Sequence, residues 1–151
     1  MSDELYLLDT NVVVTLVRGN ALANYIDDTF GLRESKVRPL ISVVTHGEVR
    51  VLAGRNNWGV KKLEALQNAL DNLVTVDVNH PAVIDAYVEI DLYSQAYPSG
   101  SRNMGKNDLW IAACAKAADV TLLTTDADFT HLSPEQLDSV YIDVRAGQGQ
   151  Q

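Results

Sequence analysis

The chain has 151 residues, of which 46% are apolar and 21% are charged, and its formal net charge is −8. This length and composition predict one globular domain with a core large enough to fold without disulfide bonds. The single cysteine, Cys114, excludes an internal disulfide framework and a zinc site built from cysteines. The acidic N-terminus shows no signal-peptide pattern, and no apolar run reaches about 20 residues, so we expect a cytoplasmic protein without a membrane span.

The basic residues are concentrated in one segment of the chain. Seven of the twelve basic residues but only two acidic residues lie between Arg33 and Lys62, so this segment has a net charge of +5 and the remainder −13. The overall charge argues against a protein that coats nucleic acids in general, but a basic region on an acidic body can still bind a polyanion. A solvated helical face explains the same cluster of charges.

The first half of the chain alternates between patterns typical of strands and of helices. In chain order these patterns predict a strand at 5–8, helices at 12–17 and 21–30, a strand at 39–44, and helices at 45–53 and 60–73. Residues 12–17 are rich in β-branched side chains, which favour a strand, but Asn11 as N-cap and Gly19 as a stop favour a helix. Thr45 and Glu48 fit a capping box at the start of the helix that follows the second strand.

The second half continues this alternation. It predicts a strand at 73–78, a helix at 81–96, a loop at 98–105, a helix at 107–118, a strand at 120–124, a short helix at 134–137 and a strand at 140–144. Strands that alternate with helices predict an α/β fold with a mostly parallel, five-stranded sheet flanked by helices. Residues 1–146 are assigned to one domain, and the polar residues 147–151 are predicted to be a disordered tail.

Acidic residues are predicted to meet at one edge of this sheet. Asp9 ends the first strand, and Asp126 and Asp128 follow the fourth. Glu48 and Asp108 lie in the first turns of two helices, and ligands of open α/β sheets bind at this edge. Converging carboxylates repel one another unless a cation neutralises them, and ligands that are all oxygen suit Mg²⁺ or Mn²⁺. Paired ions of this kind hydrolyse phosphodiesters, which predicts that chemistry here.

Each acid also has an ordinary structural explanation. Asp9, Asp126 and Asp128 are of a residue type common in turns. Glu48 fits the capping box, and Asp108 can complement the dipole of its helix. The shared edge of the sheet favours one common site over five separate explanations.

Four ordered segments resemble the motifs of PIN-domain ribonucleases. They are LYLLDTN at 5–11, SVVTHGE at 42–48, NDLWIAA at 107–113 and LLTTDADF at 122–129. Each motif is weak alone, but the ordered set is specific and covers nearly the whole chain. The most similar subgroup is the VapC-type toxins of toxin–antitoxin pairs.

This resemblance implies a single PIN-like domain with a five-stranded parallel sheet and divalent-metal endoribonuclease activity. It also implies RNA products with a 5′-phosphate and a 3′-hydroxyl, frequent homodimerisation and a cognate antitoxin that blocks the site. The implied catalytic and metal-binding quartet is Asp9, Glu48, Asp108 and Asp126. Asp128 is a further metal-ligand candidate, and the sequence leaves open which of Asp126 and Asp128 is the closer ligand. Thr10 and Asn11 match polar positions of the first motif and are assigned a supporting role.

Basic side chains near these motifs are candidates for contacts with RNA phosphates, although a solvated surface explains them equally well. The candidates are Arg50, Arg55, Lys61, Lys62, Arg102 and Lys106. Two tryptophans, Trp58 and Trp110, are candidates for base stacking, but Trp110 lies in an apolar helix and is expected to pack in the core.

Three other functions are open to such a sequence. A haloacid-dehalogenase-type phosphatase needs a second acid two residues after the first aspartate, where Asn11 stands here, and a longer chain. A receiver domain needs a lysine after a late strand, and none follows Thr124. A catalytically silent PIN-like binding module is the alternative from another class, and the presence of all four motif acids argues against it.

Overall fold

Five parallel strands form one sheet in the computed structural model, which describes residues 4–148. The strands are β1 (Tyr6–Leu8), β2 (Leu40–Ser42), β3 (Val74–Val76), β4 (Thr121–Thr124) and β5 (Ser139–Tyr141). The helices are α1 (Thr10–Arg18), α2 (Ala21–Phe30), α3 (Val43–Arg55), α4 (Val60–Asp71), α5 (Pro81–Gln95) and α6 (Lys106–Ala118), with a 3₁₀ helix at Ala127–Leu132. The strand order is β3-β2-β1-β4-β5, and each neighbouring pair is parallel. The predicted α/β class is therefore confirmed, with a sheet that is wholly parallel.

Both faces of the sheet are covered by helices, which explains the continuous apolar runs in its central strands. Successive strand side chains point to opposite faces. Leu7 and Leu122 pack on one side in a core cluster with α5 and α6, and Leu8 and Leu123 pack on the other side with α1, α3 and α4. All four leucines are fully buried. Helices on both faces of the sheet therefore bury successive residues of its central strands.

Asp9, and not the predicted Asn11, caps α1. The Asp9 side chain accepts a hydrogen bond from the backbone N–H of Thr10, and the helix ends at the predicted Gly19, which adopts a left-handed conformation. The β-branched residues Val12 and Val13 are buried against the sheet. Their tertiary packing outweighs their local preference for a strand.

The predicted capping box at Thr45 and Glu48 is wrong. Helix α3 begins two residues earlier, at Val43, because the Ser42 side chain at the end of β2 accepts a hydrogen bond from the backbone N–H of Val44. Thr45 is consequently a buried residue inside the helix. The Glu48 side chain is thus not required as a cap and bonds to other elements.

The predicted short helix at 134–137 is also wrong. The structure has a turn there, and the 3₁₀ helix lies earlier, at Ala127–Leu132, where Asp126 caps it by accepting a hydrogen bond from the N–H of Asp128. Of the predicted disordered tail, Gly147 and Gln148 belong to a turn and 149–151 lie outside the described residues. Between residues 4 and 148, no helix combines the length and apolarity that a membrane span requires.

Candidate metal centre

Carboxylates from four parts of the chain meet beyond the carboxyl ends of β1 and β4. Asp9 directly follows β1, Asp126 and Asp128 follow β4, Glu48 lies on α3, and Asp108 lies in the first turn of α6. Single oxygens of Asp108, Asp126 and Asp128 lie within 4.8 Å of one another. Asp9 and Glu48 lie near enough for their charges to act on Asp108. The structure therefore brings all five predicted acids together.

The pairing of β1 with β4 positions Asp9 beside Thr124. The backbone N–H of Asp9 donates to the carbonyl of Leu123 at 2.9 Å, which extends the parallel ladder by one residue. The Thr124 hydroxyl then donates to Oδ2 of Asp9 at 2.7 Å and accepts from the backbone N–H of Asp126 at 2.9 Å. One buried hydroxyl thus fixes an acid after each of two adjacent strands.

Polar side chains from two other elements hold Glu48. The Thr10 hydroxyl donates to Oε1 of Glu48 at 2.6 Å, and the Asn107 amide donates to Oε2 at 3.3 Å. The buried Thr45 hydroxyl lies 3.0 Å from the hydroxyl of Thr10 and can donate to it. Glu48 is therefore oriented by side chains of α1 and α6, with Thr10 in direct contact with it.

Asp9 ionises less readily than an ordinary aspartate. Burial raises its pKa from 3.8 to about 6, and the charges of Asp126 and Glu48 act in the same direction. Hydrogen bonds from Thr124 and from the N–H of Thr10 oppose this shift because they stabilise the charged form. The net effect is a buried carboxylate whose negative charge is costly without a cation.

The pKa of Asp108 is also raised, by burial and by the neighbouring carboxylates. Burial, together with the charges of the remaining four acids of the cluster, raises its pKa to about 6; these acids are Asp9, Asp126, Glu48 and Asp128. Raised pKa values in a cluster of carboxylates are typical of a functional site. The donors are oxygens alone, which suits Mg²⁺ or Mn²⁺ and not zinc.

A cleft of about 620 Å³ adjoins the acids and shares Glu48 with them. Its lining includes Asn11, Val43, Gly47, Val51, Arg55 and Asn107. Lys106 borders a neighbouring hollow together with Glu48 and Asp108. Arg55 and Lys106 are thus the two basic candidates that lie beside the acids.

The other basic candidates lie elsewhere in the fold. Arg50 is two residues from Glu48 and so about 200° around α3 from it, and it lines a separate cavity with Trp58. The Lys62 ammonium lies 4.2 Å from the centroid of the Trp58 ring. Arg102 lies over the ring of Tyr97, with 5.4 Å between the guanidinium carbon and the ring centroid.

The remaining candidates have simpler surroundings. Lys61 is exposed near the start of α4. Trp110 is partly buried and packs on Tyr87 with 4.2 Å between ring centroids, as expected for a core residue.

Sequence reasoning missed three residues that hold the acids in place. Thr45 contacts Thr10, Thr124 contacts Asp9, and Asn107 contacts Glu48. The only signal available for Thr124 was its position at the end of a predicted central strand, and for Asn107 its place directly before Asp108. Neither signal identifies the partner, because each partner lies more than fifty residues away.

The chain matches the family model of the PIN domain over residues 6–133. Its fold is also similar to chains in solved structures that share 22% identity or less with it. One is from VapBC2 of Rickettsia felis, bound to a DNA fragment from their promoter (20% identity, TM-score 0.72, 92% of this chain and 99% of that chain). Another is from VapBC-5, a toxin–antitoxin system of Mycobacterium tuberculosis (22% identity, TM-score 0.63, 91% of this chain and 98% of that chain).

A third similar chain is from VapBC of Salmonella typhimurium bound to DNA (15% identity, TM-score 0.68, 91% of this chain and 98% of that chain). A comparison with curated proteins finds no match. The family match covers all five predicted acids, and the structural similarities extend over nearly the whole fold.

Proposed function

This chain belongs to the PIN-domain family, and on that premise we propose that it is a divalent-metal-dependent endoribonuclease. The observation that carries the proposal is the convergence of Asp9, Glu48, Asp108, Asp126 and Asp128, with the pKa values of Asp9 and Asp108 both raised to about 6. Such a site is most stable when it holds a cation. The predicted PIN-like fold and family are confirmed, and the nuclease activity and the roles of the residues are what we propose.

The five carboxylates are the proposed ligands of Mg²⁺ or Mn²⁺. When bound, such ions supply an activated water and stabilise the leaving oxygen of a phosphodiester. Asp108, Asp126 and Asp128 each offer an oxygen within 4.8 Å of the others, and the charge of Asp9 acts on Asp108 from the end of β1. Glu48 is held in place by Thr10 and Asn107, so its charge is directed at the same region. No covalent nucleophile is required from the protein.

The proposed substrate is RNA, cut to leave a 5′-phosphate and a 3′-hydroxyl. Arg55 and Lys106 lie beside the acids and are the first candidates for contacts with phosphates next to the cut. The more distant candidates can contact phosphates further along the strand. These are Arg50, Lys61, Lys62 and Arg102.

We further propose that the protein is the toxin of a type II toxin–antitoxin pair. The fold is similar to chains of toxin–antitoxin complexes from several bacteria, which supports a protein antitoxin as partner. A homodimer and a cytoplasmic location complete the proposal, and both follow from the family resemblance.

The test is cleavage of total cellular RNA by the purified chain in EDTA, Mg²⁺ or Mn²⁺. The variant Asp108→Asn removes one carboxylate charge from the cluster. Asp119→Asn is its matched control, because it makes the same change at the exposed C-cap of the same helix. We expect metal-dependent cleavage by the natural chain and by Asp119→Asn, and a loss of at least a hundredfold in Asp108→Asn.

The two failures of this experiment have different meanings. Cleavage that persists in EDTA and in Asp108→Asn would exclude the acidic cluster as the reacting site. Absence of both cleavage and Mn²⁺ binding would favour the catalytically silent PIN-like binding module.

A further inference from the structure

We propose that the cleft beside Glu48 binds one unpaired nucleotide of the RNA next to the phosphate that is cut, and that Gly47 keeps room for its base. This inference rests on the proposed function, because it deepens the description of the same substrate. It assigns the cleft to a nucleobase and not to a phosphate alone.

The position of the cleft supports a nucleotide as its occupant. The cleft shares Glu48 with the acidic cluster, so a group bound in it lies directly beside the proposed reacting phosphate. Its volume of about 620 Å³ falls within the range of about 300–1,000 Å³ that small-molecule sites occupy. A single nucleotide is a ligand of that class.

The chemistry of the lining matches the parts of a nucleotide. Val43 and Val51 are 38% and 59% exposed and offer apolar surface to the face of a base. Arg55 offers a guanidinium to a phosphate, and within residues 4–148 its side chain makes no ion pair or hydrogen bond. The Asn11 amide makes no hydrogen bond within the same residues, so its donor and acceptor are available to the edge of a base.

Asn107 joins the acidic cluster to the cleft. Its amide nitrogen donates to Oε2 of Glu48, which fixes the orientation of the amide plane. The carbonyl oxygen and the second N–H of the same amide then remain for a ligand in the cleft. Asn11 and Asn107 thus offer donors and acceptors at two sides of one cleft, and a planar base with polar edges satisfies both.

Gly47 is the feature that packing within the protein does not explain. It lies inside α3 and is exposed, and a Cβ built on it would meet no other atom within 4 Å. A glycine within a helix lowers stability relative to alanine, so a glycine with open space around it calls for another reason. Because Gly47 lines the cleft, a bound ligand supplies that reason: a side chain here would occupy the space of the base.

Gly54 of the same helix is a matched comparison. A Cβ on Gly54 would also meet nothing within 4 Å, but the residue lies two turns further along α3, where it lines the separate cavity that contains Arg50 and not the cleft. Gly54 is in the last turn of the helix, and glycine is common at helix ends. Its presence therefore needs no ligand.

The experiment compares Gly47→Leu with Gly54→Leu on a single-stranded RNA oligonucleotide that contains one mapped cleavage site. Leucine favours helix formation, so both variants are expected to have a Tm equal to or above that of the natural chain. We expect Gly47→Leu to lower kcat/KM at least tenfold with unchanged Mn²⁺ affinity. Gly54→Leu should retain the natural kcat/KM.

A second substrate identifies the base as the group in the cleft. Oligonucleotides with an abasic residue at either position flanking the cut remove the base and leave the phosphates. We expect the natural chain to lose about tenfold in kcat/KM at one of these positions. Gly47→Leu should show no additional loss with that abasic oligonucleotide, because the base is already excluded.

The inference is overturned if Gly47→Leu cleaves the intact oligonucleotide as fast as the natural chain, or if its loss multiplies with that of the abasic residue. Either result would leave the nuclease function intact, because the natural chain still cleaves. If the natural chain cleaves no RNA with any metal, the proposed function fails first and this inference fails with it.

Discussion

The hydroxyl of Thr124 donates a 2.7 Å hydrogen bond to Oδ2 of Asp9, so the last residue of β4 holds the first acid after the adjacent strand β1. The same hydroxyl accepts from the N–H of Asp126. Two acids that are far apart in the sequence are therefore held at a fixed separation by one buried side chain. Because the contact stabilises the ionised form of Asp9, it acts against the effect of burial on the pKa of that residue.

Replacing Thr124 by valine is predicted to weaken metal binding and stability together. The change removes the donor to Asp9 and the acceptor for the N–H of Asp126, and unsatisfied buried polar groups cost about 1–3 kcal/mol. The pKa of Asp9 should rise further. Urea unfolding in EDTA and titration with Mn²⁺ measure the two effects, and Thr124→Ser, which keeps the hydroxyl, is the control. Natural Mn²⁺ affinity in Thr124→Val would contradict the role assigned to this hydroxyl.

Asp108→Asn is predicted to stabilise the metal-free protein at neutral pH. The pKa of Asp108 in the folded state is about 6 against an ordinary value of 3.8, so the folded state holds its proton more tightly than the unfolded chain. Stability contributed by this group is complete below about pH 4 and is lost as pH rises through 6. We expect the amide to raise the free energy of unfolding by about 1–2 kcal/mol at pH 7.5.

The control for this prediction is the pH itself. At pH 4 the aspartate is already protonated in the folded state, so the advantage of Asp108→Asn should shrink towards zero. Thermal unfolding in EDTA at the two pH values measures the difference. An equal advantage at both values would exclude ionisation of Asp108 as the cause.

Mn²⁺ affinity is predicted to fall as the pH is lowered through 6. Protons and the cation compete for Asp9 and Asp108, whose pKa values are both about 6. Isothermal titration between pH 5 and pH 8 should show affinity rising through this range and levelling above pH 7. An affinity that changes only below pH 5 would indicate that neither aspartate is a ligand.

Ser94→Ala is predicted to destabilise the domain without touching the acids. Nε2 of the buried His131 lies 2.8 Å from the buried Ser94 hydroxyl, which joins α5 to the 3₁₀ helix after β4. Burial lowers the pKa of His131, so its ring is neutral at pH 7 and Nε2 can accept this hydrogen bond. Loss of the partner should cost about 1–3 kcal/mol in urea unfolding. A variant as stable as the natural chain would show that the contact is dispensable.

The sequence predicted the sheet and the convergence of the acids for one physical reason. Strands that alternate with helices along the chain imply a parallel sheet, and parallel strands end at the same edge. Short apolar runs such as residues 5–8 fit the buried strands of such a sheet. Asp9 and Asp126 follow two such strands, so their proximity could be foreseen without any contact being known. Glu48 and Asp108 were predicted at the same edge because each lies near the start of a helix, and the family resemblance supported the same set.

Local capping and the direction of the basic side chains could not be foreseen. Ser42, Thr45 and Glu48 all offer capping oxygens, and the choice among them depends on where β2 stops pairing with its neighbours. Arg50 and Arg55 belong to the same charge cluster, yet the phase of α3 places only Arg55 beside Glu48. A count of charges along the chain contains no information about that phase.

The hydrogen bond between Thr124 and Asp9 joins residues that are 115 positions apart, and this separation affects when the acidic site forms during translation. Contacts between distant segments form late because a long loop must close first. A nascent chain contains β1, α1 and Glu48 long before β4 emerges. The five acids therefore come together only when nearly the whole domain has been translated, and under the proposed function an unfinished chain cannot cleave the RNA from which it is being read.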